Sequence, residues 1–243
     1  MTGPRQKPPT EPPPSAGVLA RYARAYAKEL GVSEGRVRAW ISYMVLAGLL
    51  EQSRQSSDGF QFTVKGGVAL ELRLRNQARA TKDIDLVLHH DEADLAHALE
   101  RAVDASAGGG YQGFNYRRKG APLVLENRTI SVEFAVTYEG GTWTSIIVDV
   151  ARAELGEGEI ELLPAVLLHE ATGITGPTEL PCLSLRMHVA QKLHGMTLPP
   201  RRGKRNERFK DLVDVLLMEP LVTDYAALRQ ACESVFRARG THN

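Results

Sequence analysis

The sequence predicts an α/β or α+β protein with a helical C-terminal part, and three observations carry that prediction. β-prone runs alternate with helical segments between residues 60 and 163. Three helical segments then follow one another with no strand between them. The 243 residues are 43% apolar and 24% charged, which suits a globular chain with a sizeable core. We divide the chain into a Pro-rich tail (1–15), N-terminal helices (16–55), a mixed core (56–163) and a helical C-terminal lobe (164–243).

The elements follow in order. Residues 1–15 hold six prolines and almost no apolar side chains, so a disordered tail is expected. Ser15 is placed to cap a helix whose apolar positions Val18, Leu19, Tyr22, Ala23 and Tyr26 recur at helical spacing. That helix runs to Leu30 and turns at Gly31; Ser33 then caps a second helix, Glu34 to Leu50. The pair reads as a helical hairpin packing on the core, or as a helix-turn-helix with Arg36 and Arg38 facing DNA. A β-prone stretch, Phe60 to Lys65, meets Gly66-Gly67 and a helix from Val68 to Arg75. A strand at Ile84 to Leu88 and a helix from Asp91 to Ser106 come next, and Gly108 to Gly110 break the helix. Two β-rich runs, Thr129 to Tyr138 and Trp143 to Ala151, flank a hairpin turn at Glu139-Gly140-Gly141-Thr142. After a β-prone Ile160 to Leu163, helices are predicted at Ser184 to Met196, Glu207 to Met218 and Tyr225 to Arg237.

Composition excludes several classes. The longest apolar runs fall far short of the ~20 residues of a membrane span, and no apolar signal core is seen. Two cysteines, Cys182 and Cys232, are too few for a disulfide framework and lack zinc-ligand spacing. A cytoplasmic, reduced protein without a membrane partner is the expectation. Thirty basic against 29 acidic residues leave a net charge of only +1, so bulk charge predicts no polyanionic partner, but the distribution is uneven. PRRGKRNERFK (200–210) has six basic residues and one acid, and Arg73 to Lys82 has four and none. Such runs suggest basic patches, although a solvated Arg-rich loop also accounts for one.

The chemistry centres on Asp83-Ile84-Asp85. On a strand, residues i and i+2 share a face, so the two carboxylates project together. Their repulsion is relieved by a cation, and hard oxygens favour Mg²⁺ or Mn²⁺; a strand end facing water is the alternative. Lys65-Gly66-Gly67 lets backbone approach a phosphate at a helix start, or simply makes a tight turn. Asp149, in the apolar run Ile146 to Val150, is costly unless it meets a metal or partner, and would complete a three-acid cluster if its strand lay beside that of Asp83. Lys192 sits on a mostly apolar helix, or snorkels to the surface. Asp211 and Asp214 open the next helix, where capping alone would explain them.

Taken in order, K-G-G-x-A-L (65–70), R-x-T-x-D-I-D-L (79–86), Asp149, Lys192 and R-x-K-D-x-x-D (208–214) resemble the AbiEii-type nucleotidyltransferase toxins of the DNA polymerase β-like superfamily. The resemblance spans roughly residues 60 to 218 and implies a bilobed fold, with a mixed-sheet nucleotidyltransferase core, N-terminal helices and a helical C-terminal lobe. It implies an enzyme that uses Mg²⁺ (or Mn²⁺) and a nucleoside triphosphate to transfer a nucleotide to the 3′ end of tRNA. Translation would be blocked, and a cognate antitoxin would be the protein partner. On this chain it assigns metal binding to Asp83, Asp85 and Asp149, the last also a candidate base. Lys192 would contact the triphosphate, and Asp211 would orient Lys192 or the nucleotide. Lys65, Gly66, Gly67 and Arg79 would line the phosphate site with Thr81, Arg208 and Lys210 alongside. Val68 stands where the family commonly has Ser or Thr, and Thr81 where it often has Ser. A small-molecule or protein acceptor and a non-catalytic DNA-binding regulator are the alternatives.

Overall fold

The computed structural model describes residues 9, 11–52, 62–89, 94–105, 111–125, 129–154, 159–166, 171–199 and 206–241. Helix α1 (Ala16–Leu30) begins where expected, with the Ser15 side chain accepting the Val18 N–H at 3.4 Å. Gly31 ends it in the left-handed region, and the Ser33 hydroxyl caps α2 (Glu34–Gln52) by accepting from Arg36 N–H at 3.2 Å. Every residue of α2 from Trp40 to Leu50 is buried. The pair packs on the core as a helical hairpin, and Arg36 and Arg38, the residues the helix-turn-helix alternative needs for DNA, are bound within the chain to Glu71, to Glu34 and to the Trp143 carbonyl. Upstream, the end of the Pro-rich segment packs onto the fold: the Tyr138 hydroxyl donates to the Pro13 carbonyl at 2.6 Å. Residues 1–8 and 10 lie outside the described residues.

Strand β1 (Phe62–Lys65) leads without a gap into α3 (Gly66–Leu74), and a 3₁₀ turn (Arg75–Gln77) precedes β2 (Asp83–Leu88). Helix α4 (Leu95–Ala105) is followed by β3 (Phe114–Val124), β4 (Ile130–Tyr138), β5 (Gly141–Arg152), β6 (Ile160–Pro164) and β7 (Glu179–Leu183). The β4–β5 hairpin forms where the sequence placed it but with a shorter turn: Glu139 and Gly140, both at positive φ, make a two-residue connection, and Gly141 and Thr142 already belong to β5. Helices α5 (Leu185–Thr197), α6 (Phe209–Met218) and α7 (Tyr225–Arg239) complete the described chain. Residues 200–205, where the sequence concentrates basic residues, lie outside the described residues, as do residues 60–61, 91–93 and 106–110.

The strands form a mixed seven-stranded sheet among the described residues, ordered β3-β4-β5-β2-β1-β7-β6. β2 runs parallel to β5 and antiparallel to β1, and β1 runs parallel to β7. Two of these strands escaped the sequence reading. β3 is an edge strand, charged and interrupted by Gly120 and an irregular register between Lys119 and Leu123, which hides its alternation. β7 is only five residues long and carries Pro181.

Helices α1, α2 and α4 pack with Val132, Phe134, Ile146, Val148 and Val150 of β4 and β5 in one apolar core. The other face of β2 and β5 carries the residues in between, and among them are Asp83, Asp85 and Asp149. The C-terminal helices join the sheet through α3: Leu70 and Ala78 share a buried cluster with Val189 of α5 and Met218 of α6. Leu183, Met187 and Ala190 pack against Ala231 and Val235 of α7. This packing fixes the polar side of α5 and α6 relative to the start of α3.

Candidate active site

The site is built on strand register. Lys65 pairs with Asp85 across β1 and β2, Asp85 pairs with Asp149 across β2 and β5, and Asp149 pairs with Ser131 across β5 and β4. Four side chains therefore stand in one row across the sheet, with Asp85 between a lysine and a second carboxylate. Asp83 lies on the same face two residues before Asp85. Its Oδ1 accepts the Thr81 hydroxyl at 2.9 Å, so the threonine that follows Arg79 orients the first aspartate.

The paired glycines make this arrangement possible. A Cβ on Gly66, which sits at φ +60°, would lie 1.8 Å from Asp85 Oδ2; one on Gly67 would lie 2.3 Å from Thr81 Oγ1. Any side chain there would collide with a carboxylate of the row or with its support. Val68 is 2% exposed and belongs to the core, so the residue after the paired glycines points into apolar packing.

The electrostatics of the row are those of acids without enough partners. Desolvation, with the charges of Asp83 and Asp149, pushes the Asp85 carboxyl up to about 6 against the opposing pull of Lys65 and Lys192. Desolvation also raises Asp149, opposed by a hydrogen bond with the Ser131 side chain, while Asp83 raises it further. Asp149 Oδ1 is buried and finds no hydrogen-bond partner. Among the described residues no three such side chains close into a ready-made metal cage. Mg²⁺ seldom uses one; it is held by one or two carboxylates, with water and substrate phosphates completing its shell. Hard oxygen donors, mutual repulsion and an orphaned carboxylate oxygen fit that ion.

Beside the row stands a chain of alternating charges from α5 and α6. Lys192 Nζ donates to Asp214 Oδ2 at 2.6 Å and to Asp211 Oδ1 at 3.2 Å. Arg79 grips Asp214 with Nε and Nη2, each at 2.9 Å, and Arg208 Nε donates to Asp211 Oδ2 at 2.6 Å. Asp214 is fully buried, and Lys192 and Asp211 are nearly so. Three cations against two anions leave one positive charge in surplus. Asp83 acts on Arg79, and Lys192 on Asp85, so the two assemblies share a field.

The structure thus brings Lys65, Gly66, Gly67, Arg79, Thr81, Asp83, Asp85, Asp149, Lys192, Asp211 and Arg208 into two neighbouring assemblies. Lys210 is exposed and takes no part in the charge network. Arg36 and Arg38 are engaged elsewhere, with Glu71 and with Glu34 and the Trp143 carbonyl. Sequence reading left Asp214 as a helix cap, although its i, i+3 spacing from Asp211 already set both on one face. It also passed over two residues. Glu71 is an acid within an apolar helix, buried beside Arg36 and pushed up to about 7 by that burial. His188, one turn before Lys192, is 2% exposed and kept neutral by burial among Lys192, Arg73, Lys65 and Arg79.

No curated protein matches the chain. Among solved structures, MenT4, a nucleotidyltransferase toxin of Mycobacterium tuberculosis H37Rv, superposes with a TM-score of 0.63 at 22% identity, over 93% of this chain and 70% of that one. An antigenic nucleotidyltransferase-like protein of Paracoccidioides brasiliensis follows at 0.44 and 16% identity, over 82% and 90%. The antibiotic-resistance factor ANT(2″)-Ia stands at 0.41 and 16%, over 83% and 94%. The family model of the nucleotidyl transferase AbiEii toxin, of type IV toxin–antitoxin systems, matches residues 48–243. The chain therefore belongs to the AbiEii nucleotidyltransferase toxin family.

Proposed function

We propose that the protein is a Mg²⁺-dependent (or Mn²⁺-dependent) enzyme that transfers a nucleotide from a nucleoside triphosphate to the 3′ end of tRNA, releasing pyrophosphate. The observation that carries this reading is the transverse row, Lys65–Asp85–Asp149, facing the surplus positive charge of the Lys192 network. A divalent ion held by Asp83, Asp85 and Asp149 would supply Lewis-acid polarisation of the phosphate oxygens. The remaining roles belong to the chain itself.

The side of Asp85 that carries Lys65, the start of α3 and the Lys192 network is the cationic one, and there the β- and γ-phosphates bind. The acceptor then approaches from the opposite side, over β5, because displacement at phosphorus is in line. Asp149 stands on that side. Its raised proton affinity and unpartnered oxygen suit it to take the proton of the acceptor hydroxyl. The acceptor oxygen forms its bond to the α-phosphorus as the bond to the bridging oxygen breaks. The electron pair leaves on pyrophosphate, whose charge Lys192 and Arg79 stabilise. Asp211 and Asp214 hold these two cations in position.

A tRNA acceptor rests on the family resemblance and on the basic residues of the 200–210 run, which would contact phosphates of an acceptor stem. Blocked translation, an antitoxin partner and a cytoplasmic location come with the same reading; no helix among the described residues is long and apolar enough to cross a membrane. Incubation with each labelled NTP, Mg²⁺ and total tRNA tests it. Transfer by the wild type that is lost in Asp85→Ala is expected. Label appearing on protein or small-molecule acceptors but not on tRNA would replace the acceptor, and no label anywhere would overturn the proposal.

A further inference from the structure

Glu71 lies in Val68-Ala69-Leu70-Glu71-Leu72, a run buried throughout, where an ionisable side chain costs stability unless it is compensated. Its compensation points at the active site. Oε1 accepts the Thr81 N–H at 3.2 Å and meets Arg36 Nη2 at 3.2 Å. The same Arg36 nitrogen donates to the Ala78 carbonyl at 2.9 Å, and the guanidinium stacks 4.9 Å from the Trp40 ring centroid. One ion pair therefore pins both ends of the Ala78–Thr81 segment, and the next contact along is the Thr81 hydroxyl on Asp83 Oδ1. Gly67 leaves the space that Thr81 occupies. Within the pair itself, Glu71 Oε2 and Arg36 Nε are buried without hydrogen-bond partners. Its geometry serves the segment rather than the pair. Arg36 also precedes the family-matched region, which begins at residue 48.

We infer that Glu71, held by Arg36 of the N-terminal hairpin, is a positioning residue for the Asp83 carboxylate, so that α2 is a working part of the metal-binding centre. This rests on the proposed function only in taking Asp83 as a metal ligand. A structural ion pair alone would lower stability when removed and leave metal affinity where it was. Positioning moves the affinity, by roughly 10-fold to 100-fold for supports of this kind.

Mn²⁺ binding, read by paramagnetic resonance with and without a non-hydrolysable NTP, separates the two. The paired replacement R36M/E71M removes both charges together, leaving neither buried alone, while the acceptor for Thr81 N–H is lost; Mn²⁺ affinity is expected to fall about tenfold. E71Q, which keeps an acceptor oxygen, should stay within about threefold of the wild type. T81V should match the loss of R36M/E71M, and the triple variant should lose no more than either. S42A, which removes from α2 a buried hydroxyl that accepts the indole N–H of Trp143 on β5, should lower the urea midpoint and leave Mn²⁺ affinity unchanged.

Wild-type affinity in a folded R36M/E71M overturns the inference. If that variant does not fold, T81V decides alone, and wild-type affinity there removes the last link. A wild type that binds no Mn²⁺ under either condition overturns it as well. Because the titration contains no acceptor, absent nucleotidyl transfer with normal Mn²⁺ binding would sink the proposed function and leave this inference standing.

Discussion

The carboxylates of the sheet and those of the C-terminal helices are treated in opposite ways. Asp85 and Asp149 face one another and Asp83 with little to neutralise them, and one oxygen of Asp149 has no partner. Asp211 and Asp214 are saturated, each held by two cations, with Asp214 fully buried. The first region is frustrated in the absence of a cation. The second is complete and carries spare positive charge. On the proposed function, the first would take a divalent ion and the second the anionic phosphates.

The comparison breaks most sharply at Asp85. D85N should lose roughly a thousandfold in transfer rate, as expected for an essential electrostatic group, yet melt at or above the wild-type temperature, because a repelled carboxylate is gone. Calorimetry alongside the labelling assay checks both, and a large drop in melting temperature would show that the row is structural. D214A should do the reverse in stability. It strips a buried carboxylate from Lys192 and Arg79, at a cost of about 3–5 kcal/mol by urea unfolding. A loss under ~1 kcal/mol would mean that the network is not held as tightly as its distances imply.

The difference is sharpened by pH. The folded-state value of Asp85, about 6, lies above its ordinary 3.8, so between these values the native protein binds the extra proton. Stability of the metal-free protein from this group is fully present below 3.8 and declines as pH rises through 6. The gap between wild type and D85N, followed by urea unfolding from pH 4 to 7, should track that decline; a constant gap would contradict it. The smallest effect belongs to Arg208, whose side chain is 53% exposed. R208A should change stability by no more than about 1 kcal/mol and raise the KM for NTP modestly with kcat retained. A kcat collapse would move Arg208 into the reaction itself.

Much of this site was legible in the sequence because its signals are local. Spacing of two on a strand puts Asp83 and Asp85 on one face. Paired glycines at a strand-to-helix junction announce a close approach, and the approach proves to be that of Asp85 and Thr81 rather than of backbone to ligand alone. Asp214 was named but given no role in the site, and Glu71 was passed over, for opposite reasons. Asp214 had a sufficient local explanation as a helix cap, and Glu71 had none, since its partner Arg36 lies 35 residues earlier on another helix. The edge strand β3 was missed because charged residues and Gly120 obscure its alternation.

By itself, the sequence determined most of the elements, β3 and β7 excepted, and the chemistry each could offer: two acids side by side, a third acid isolated in an apolar strand, a lysine on a mostly apolar helix. Dihedral preference and side-chain periodicity act over a few residues, and those features live at that range. Only the tertiary structure decided that β5 lies beside β2 with Asp149 opposite Asp85, that β1 brings Lys65 to the other side, and that Lys192 is shared by two aspartates. Register between strands distant in the chain is set by how all their apolar faces pack at once, and no local stretch of residues contains that sum.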